Sequence, residues 1–154
     1  MAYVRAKTVI LIKAKEIIMS QPVALTGIHH ITLTVSNVAA SAEFYSRHFG
    51  FRSLLDLGAR NIMSNGSIVL AVTLPSDTAA PVPAGDRFSE NRVGLDHVSF
   101  SVAGPAELEA AAAYFDEHGI SHGEIRDLGG LGIYVMAVRD PDNIQLELTA
   151  PHAV

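Results

Sequence analysis

Gly27-Ile-His-His30-Ile-Thr-Leu-Thr-Val35 and Gly94-Leu-Asp-His97-Val-Ser-Phe-Ser-Val102 are one phrase written twice. Each copy runs glycine, apolar residue, any residue, histidine, and then apolar positions alternating with hydroxyls. Alternation with period two in β-branched sequence specifies a strand with one polar and one apolar face. The far ends of the copies also match. Ile68-Val-Leu-Ala71-Val-Thr73-Leu-Pro75 lines up with Ile144-Gln-Leu-Glu147-Leu-Thr149-Ala-Pro151. His30 is therefore equivalent to His97, and Ala71 to Glu147. Three of these side chains carry metal donors and the fourth carries none.

The sequence between these ends repeats as well. Ser36-Asn37 supplies a helix N-cap, and Val38, Ala42, Tyr45 and Phe49 recur at helical spacing up to Gly50. Apolar runs at 51–57, 60–64 and 68–74 follow, separated by Gly58 and Asn65-Gly66, the latter a tight-hairpin signal. Pro75, Pro81, Pro83 and Gly85 mark a connector. The second copy gives a strand at 95–102 and a helix at 105–118, with Pro105 in its first turn and Gly119 after it. Strands near 120–127, 132–138 and 143–149 complete it, the last two joined by the turn Asp140-Pro-Asp-Asn143. The expected organisation is an N-terminal extension (1–25), a βαβββ module (26–75), a linker (76–93) and a second βαβββ module (94–150). One helix covers one face of a four-stranded sheet. Two such modules set together form an α+β fold in which a cup-shaped open β-barrel has its helices on the outside.

Composition narrows the partners. A chain of 154 residues with net charge −5 has no basic footprint, which argues against nucleic acid. Without cysteine there is no disulfide frame and no thiolate chemistry. Val9-Ile-Leu-Ile12 and Ile17-Ile-Met19 are apolar, but Lys13, Lys15 and Glu16 interrupt them. They make neither a membrane span nor a secretory signal, so a cytoplasmic location is expected. The extension is either a helix that packs on a partner subunit or sequence upstream of a natural start at Met19.

Strand parity sorts the candidates. With His30 inward, Thr32 and Thr34 are inward and Ile31, Leu33 and Val35 face the helix. His97, Ser99 and Ser101 follow the same rule, as do Gln145, Glu147 and Thr149. Taken alone, His30 or Glu147 reads as an ordinary structural residue; their equivalence under the repeat turns them into a set. Two imidazoles and a carboxylate form the facial arrangement that holds Fe(II), Mn(II) or a similar ion with open positions. The metal candidates are thus His30, His97 and Glu147, with one divalent ion per site. Fe(II) or Mn(II) is favoured, and Zn(II), Ni(II) or Co(II) is also compatible. Thr32, Ala71, Ser99, Tyr134 and Gln145 are the substrate-pocket candidates, and no catalytic residue is assigned. Tyr134, Met136 and Gly129-Gly-Leu-Gly132 could form a pocket wall, though Tyr134 also fits a plain core position. Arg60 and Asn61 either hold an anion or are solvated. His29 and His122 read as surface residues. His48 and His118, in the last turns of the helices, suit the helix dipole as partly charged groups.

The chain resembles the vicinal oxygen chelate superfamily, which includes glyoxalase I, fosfomycin-resistance transferases, methylmalonyl-CoA epimerase, extradiol dioxygenases and bleomycin-binding proteins. The residues that carry the resemblance are His30-Ile-Thr-Leu-Thr-Val, Ala42-Glu-Phe-Tyr45 with Phe49-Gly-Phe51, Leu95-Asp-His97-Val-Ser-Phe, and Arg139-Asp-Pro-Asp-Asn-Ile-Gln-Leu-Glu147. The resemblance implies that His30, His97 and Glu147 are ligands. It puts Ala71 where glyoxalase I and the epimerases have a fourth protein ligand, which argues against both activities. Ala137 stands where extradiol dioxygenases and fosfomycin transferases have a tyrosine, which weakens each of those assignments. The resemblance further implies a homodimer in which His30 of one chain meets His97 and Glu147 of the other. The leading expectation is a metal-dependent enzyme that binds a small substrate through vicinal oxygens, with dioxygenase-type chemistry. The alternatives are a lyase, isomerase or thiol transferase, and a non-catalytic drug-binding resistance protein.

Overall fold

A computed structural model describes residues 23–77, 82–83 and 85–152. Expectations for residues 1–22 lie outside the described residues. The element order is β1 (Ile31–Thr34), α1 (Val38–Phe49), β2 (Arg52–Asp56), β3 (Arg60–Ser64), β4 (Val69–Thr73), β5 (Val98–Ser101), α2 (Pro105–His118), β6 (Arg126–Leu128), β7 (Ile133–Arg139) and β8 (Gln145–Pro151). A 3₁₀ turn at Gly129–Leu131 joins β6 to β7. The repeated βαβββ order is present in both halves.

Each half is a four-stranded sheet of the same topology, β1-β4-β3-β2 and β5-β8-β7-β6. The first strand of each pairs parallel with the last, and the others are antiparallel. The helix ends follow from their caps. The Asn37 side chain accepts the Ala40 N–H, and Gly50 and Gly119 close the two helices at φ 69° and 65°. Those left-handed positions are open to glycine at little cost.

The alternation read from the sequence sets the layers. Leu33, Val35, Phe100, Leu146 and Leu148 are buried beneath the helices. They join Tyr45, Met63, Leu70, Leu108, Phe115, Met136 and Val138 in one core that spans both halves. Each such side chain contributes about 1.5–3 kcal/mol when fully buried. The halves meet through this helical layer, where Phe49 packs against Phe100 and Phe115. The buried Tyr45 hydroxyl reaches across to donate to Asp140 Oδ2 at 2.9 Å.

In keeping with the open form expected, the sheets do not close into a barrel within the chain. Among the described residues β1 and β5 are both edge strands, each hydrogen-bonded to a single neighbour, so each polar sheet face remains open. The strand expected at 120–127 is reduced to Arg126–Leu128. Upstream of it only an isolated bridge joins His122 to Val138. The linker has no regular structure over its described residues. No helix of the described residues is long and apolar enough to cross a membrane.

Candidate metal centre

Strand register gives the equivalence of the halves a physical form. In the first sheet Thr32 lies opposite Ala71; in the second, Ser99 lies opposite Glu147. His30 and His97 each stand two residues before those hydroxyls, just ahead of β1 and β5. Ala71 and Glu147 therefore occupy the same point of two equivalent sheets. Ala71 is buried yet is not part of the shared core, as expected for a small residue on the polar face.

The second half assembles a donor pair. His97 Nε2 lies 3.7 Å from Glu147 Oε1. That is too long for a hydrogen bond and within the span of two ~2.1 Å bonds to one ion. His97 Nδ1 donates to Asp96 Oδ1 at 2.7 Å. This contact fixes the tautomer and turns the Nε2 lone pair toward the carboxylate, as carboxylate partners of metal-bound histidines do. Gln145 Nε2 donates to the same Asp96 oxygen at 3.3 Å. Thr149 Oγ1 donates to Glu147 Oε1 at 3.1 Å and also bonds Ser99 Oγ. Glu147 is thus oriented by a hydroxyl. The donor set suits a divalent ion.

The third candidate stands apart within one chain. His30 is exposed, and its Nδ1 contacts His29 Nδ1 at 2.9 Å. No group of three metal-binding side chains gathers among the described residues. Ile28 and Leu95, two residues before each histidine, are 85% and 58% exposed. Both approaches to the site thus leave apolar side chains uncovered.

Ser99 and Gln145 lie beside Glu147 as expected, and Thr32 lies beside Ala71. Tyr134 does not line this face. It pairs with Ala150, on the side of Met136 and Leu148, packs on the core and lies against the tilted His152 ring, with centroids 4.4 Å apart. Met136 is likewise core. Asn61 is buried and accepts from Ser53 Oγ at 2.8 Å, whereas Arg60 is exposed with Nε 3.3 Å from Thr73 Oγ1. His122 is half-buried, not a surface residue, packed on Phe115 and bonded to Asp116. Burial, then the nearby His118 and Arg47, holds the His48 imidazole below its usual range, contrary to a charged dipole partner. Ala137 lies directly opposite Glu147, so a methyl group stands beside the carboxylate where a tyrosine is implied.

The sequence marks Asp96 only as the residue before His97, and Asp140 only as a turn residue. Asp140 Oδ1 accepts from the Ile144 and Asp142 amides at 2.7 and 2.9 Å. With Tyr45 on the other oxygen, it holds the turn that starts β8. Burial raises its carboxyl against these three donors. Asp142 Oδ2 accepts from the Ser36 amide, a second tie between the halves.

Comparison with known proteins agrees with this architecture. The Escherichia coli (strain K12) protein YaeR is 27% identical over 131 residues, spanning 80% of this chain and 95% of its own. A glyoxylase/bleomycin resistance protein/dioxygenase domain from Frankia sp. EAN1pec superposes with a TM-score of 0.67 at 25% identity, over 84% of this chain and all of that one. The fosfomycin resistance protein FosX from Listeria monocytogenes, solved as a point mutant with Mn(II) and 1S,2S-dihydroxypropylphosphonic acid, shares the fold. Its TM-score is 0.64 at 16% identity, over 83% of this chain and 92% of that one. The sequence profile of the Glyoxalase/Bleomycin resistance protein/Dioxygenase superfamily matches residues 27–148. That match reaches from ahead of β1 into β8, well over half of the sequence, and the chain belongs to this superfamily.

Proposed function

We propose that the protein is a divalent-metal enzyme acting on a small substrate with two vicinal oxygens, and that its site forms between two copies of the chain. The observation that carries this reading is the His97–Glu147 pair at 3.7 Å, with Asp96 fixing the histidine. His30 of one copy completes the set against His97 and Glu147 of the other. Three features of the described residues support the shared site: no third ligand within a chain, unpaired edges at β1 and β5, and uncovered apolar side chains beside both histidines.

Fe(II) or Mn(II) held there would polarise the substrate oxygens and, as Fe(II), supply dioxygenase chemistry. The protein groups do the rest. Asp96 holds the His97 proton on Nδ1 and leaves Nε2 free. Thr149 and Ser99 hold Glu147 in place. Ala71 contributes no donor, which leaves a coordination position to substrate or water. Ala137 leaves room beside Glu147 for the body of the substrate. In a chain without cysteine the reading is of a cytoplasmic protein.

Anaerobic Fe(II) loading followed by O₂ uptake with a panel of catechols tests the oxygenase form. Uptake that depends on Glu147 supports it. Tight Mn(II) or Zn(II) binding with no uptake would leave the lyase, isomerase or thiol transferase reading. A drug-sequestering protein would instead bind aromatic ligands equally well after chelation.

A further inference from the structure

A second histidine cluster lies on the helical side of the molecule, away from the sheet faces that carry His97 and Glu147. His48 lies in the last turn of α1 and His118 ends α2, with ring centroids 5.8 Å apart. Tyr114 organises both rings. Its hydroxyl lies 3.1 Å from His48 Nδ1 and 3.5 Å from the Arg47 carbonyl oxygen. Its own carbonyl oxygen lies 2.8 Å from His118 Nδ1.

A carbonyl only accepts, so His118 carries its proton on Nδ1. The Tyr114 hydroxyl engages the His48 ring through Nδ1. Both imidazoles are thus held at Nδ1, which leaves Nε2 of each ring for a ligand. Metal-bound histidines use this arrangement, the other ring nitrogen donating to a protein oxygen. The rings are also fixed in place: His118 stacks on Tyr114 at 4.0 Å and His48 packs on Phe44 at 5.1 Å. Two imidazoles on one ion, with bonds of ~2.0–2.1 Å, have ring centres roughly 5–6 Å apart.

The surrounding charge permits a cation. Arg47 is the near positive group, and Glu43 sits 3.8 Å from its guanidinium. The lowered basicity of His48 keeps its lone pair available near neutral pH. No third histidine or carboxylate joins the pair among the described residues.

We propose that His48 and His118 form a two-histidine site for a borderline transition-metal ion such as Zn(II), Ni(II) or Cu(II), completed by water, that ties the helix of the first half to that of the second.

The test uses the full chain carrying His97→Gln and Glu147→Gln, which removes the centre proposed above. Ni(II) and Cu(II) titrations are followed by calorimetry, by thermal unfolding and, for Cu(II), by electron paramagnetic resonance. The expected result is one ion per chain, imidazole nitrogen coupling in the Cu(II) spectrum, and a metal-dependent rise in Tm. Adding His48→Gln or His118→Gln should weaken binding at least tenfold and remove the Tm rise. Tyr114→Phe should weaken it less, by freeing the His48 ring. Binding that ignores both histidine substitutions, or no binding at about 1 mM metal, would overturn the proposal. Because the parent lacks His97 and Glu147, neither outcome bears on the first site.

Discussion

The two halves of this chain share topology and register, yet at the same point one presents Ala71 and the other Glu147. The first half brings a histidine and a hydroxyl row to its open face. The second brings a histidine, a carboxylate and the side chains that orient both. In the proposed site this duplicated scaffold divides the labour. One copy supplies a donor pair, and the other a single imidazole and a position without a donor. Under that reading Ala71 is as informative as the ligands, since it sets how much of a metal's coordination the protein leaves open.

The comparison breaks most sharply at Glu147. Glu147→Gln keeps the shape and the Thr149 contact but removes the anionic donor. Metal affinity measured by calorimetry should fall at least ~100-fold, the upper end of what even an outer partner is worth, while thermal stability of the metal-free protein changes little. The reciprocal Ala71→Ser should leave affinity within a few-fold, because the finished pair lies in the other half.

Asp96→Asn is the next largest effect. His97 would keep a hydrogen-bond partner but lose the charge that fixes its tautomer. A drop of roughly 10–100-fold in metal affinity is expected, with apo stability unchanged. An equal loss from His29→Asn would contradict the asymmetry, since His29 is not a carboxylate and gives His30 no such anchor.

Tyr45→Phe severs one of the ties between the halves. It leaves the buried Asp140 one donor short, at a cost of about 1–3 kcal/mol. Denaturant unfolding should show this loss with unchanged m-value. Two separate transitions would mean that the halves unfold independently once the tie is gone.

The smallest effect is electrostatic. The folded-state pKa of His48 is depressed by burial. Its contribution to stability is therefore present above the unfolded value of 6.5 and is lost as pH falls through the folded pKa. Stability measured from about pH 8 down to about pH 5 should decline, and His48→Gln should flatten part of that slope. Glu90 acts at lower pH. Arg139 holds its carboxyl at about 2, so that contribution persists until the solution is strongly acidic.

The fold was legible because the alternation in β1, β5 and β8 separates polar from apolar faces cleanly. The helix limits were legible because Gly50 and Gly119 accept left-handed backbone. Legibility failed where both faces of a strand read as apolar. Ile133-Tyr-Val-Met-Ala-Val138 offers no parity, and only its register with β8 places Tyr134 in the core. Asn61 fails for a different reason: it is a polar residue turned inward and satisfied by Ser53. Asp96 and Asp140 act through contacts with residues distant in sequence, such as Gln145 and Tyr45, and no local pattern announces these. The expected cup could not be read from a single chain, since its closure depends on whether β1 and β5 find partners in another copy.

The most direct test is complementation between copies. One chain carries His30→Ala and the other Glu147→Ala, both with His48→Gln to remove the helix-side pair; each homodimer alone should bind no metal tightly. In the co-expressed heterodimer, a site built across chains pairs the intact His30 of one with the intact His97 and Glu147 of the other. Elemental analysis of the purified heterodimer should then find one tightly bound ion per dimer. A heterodimer as empty as its parents would contradict the shared site.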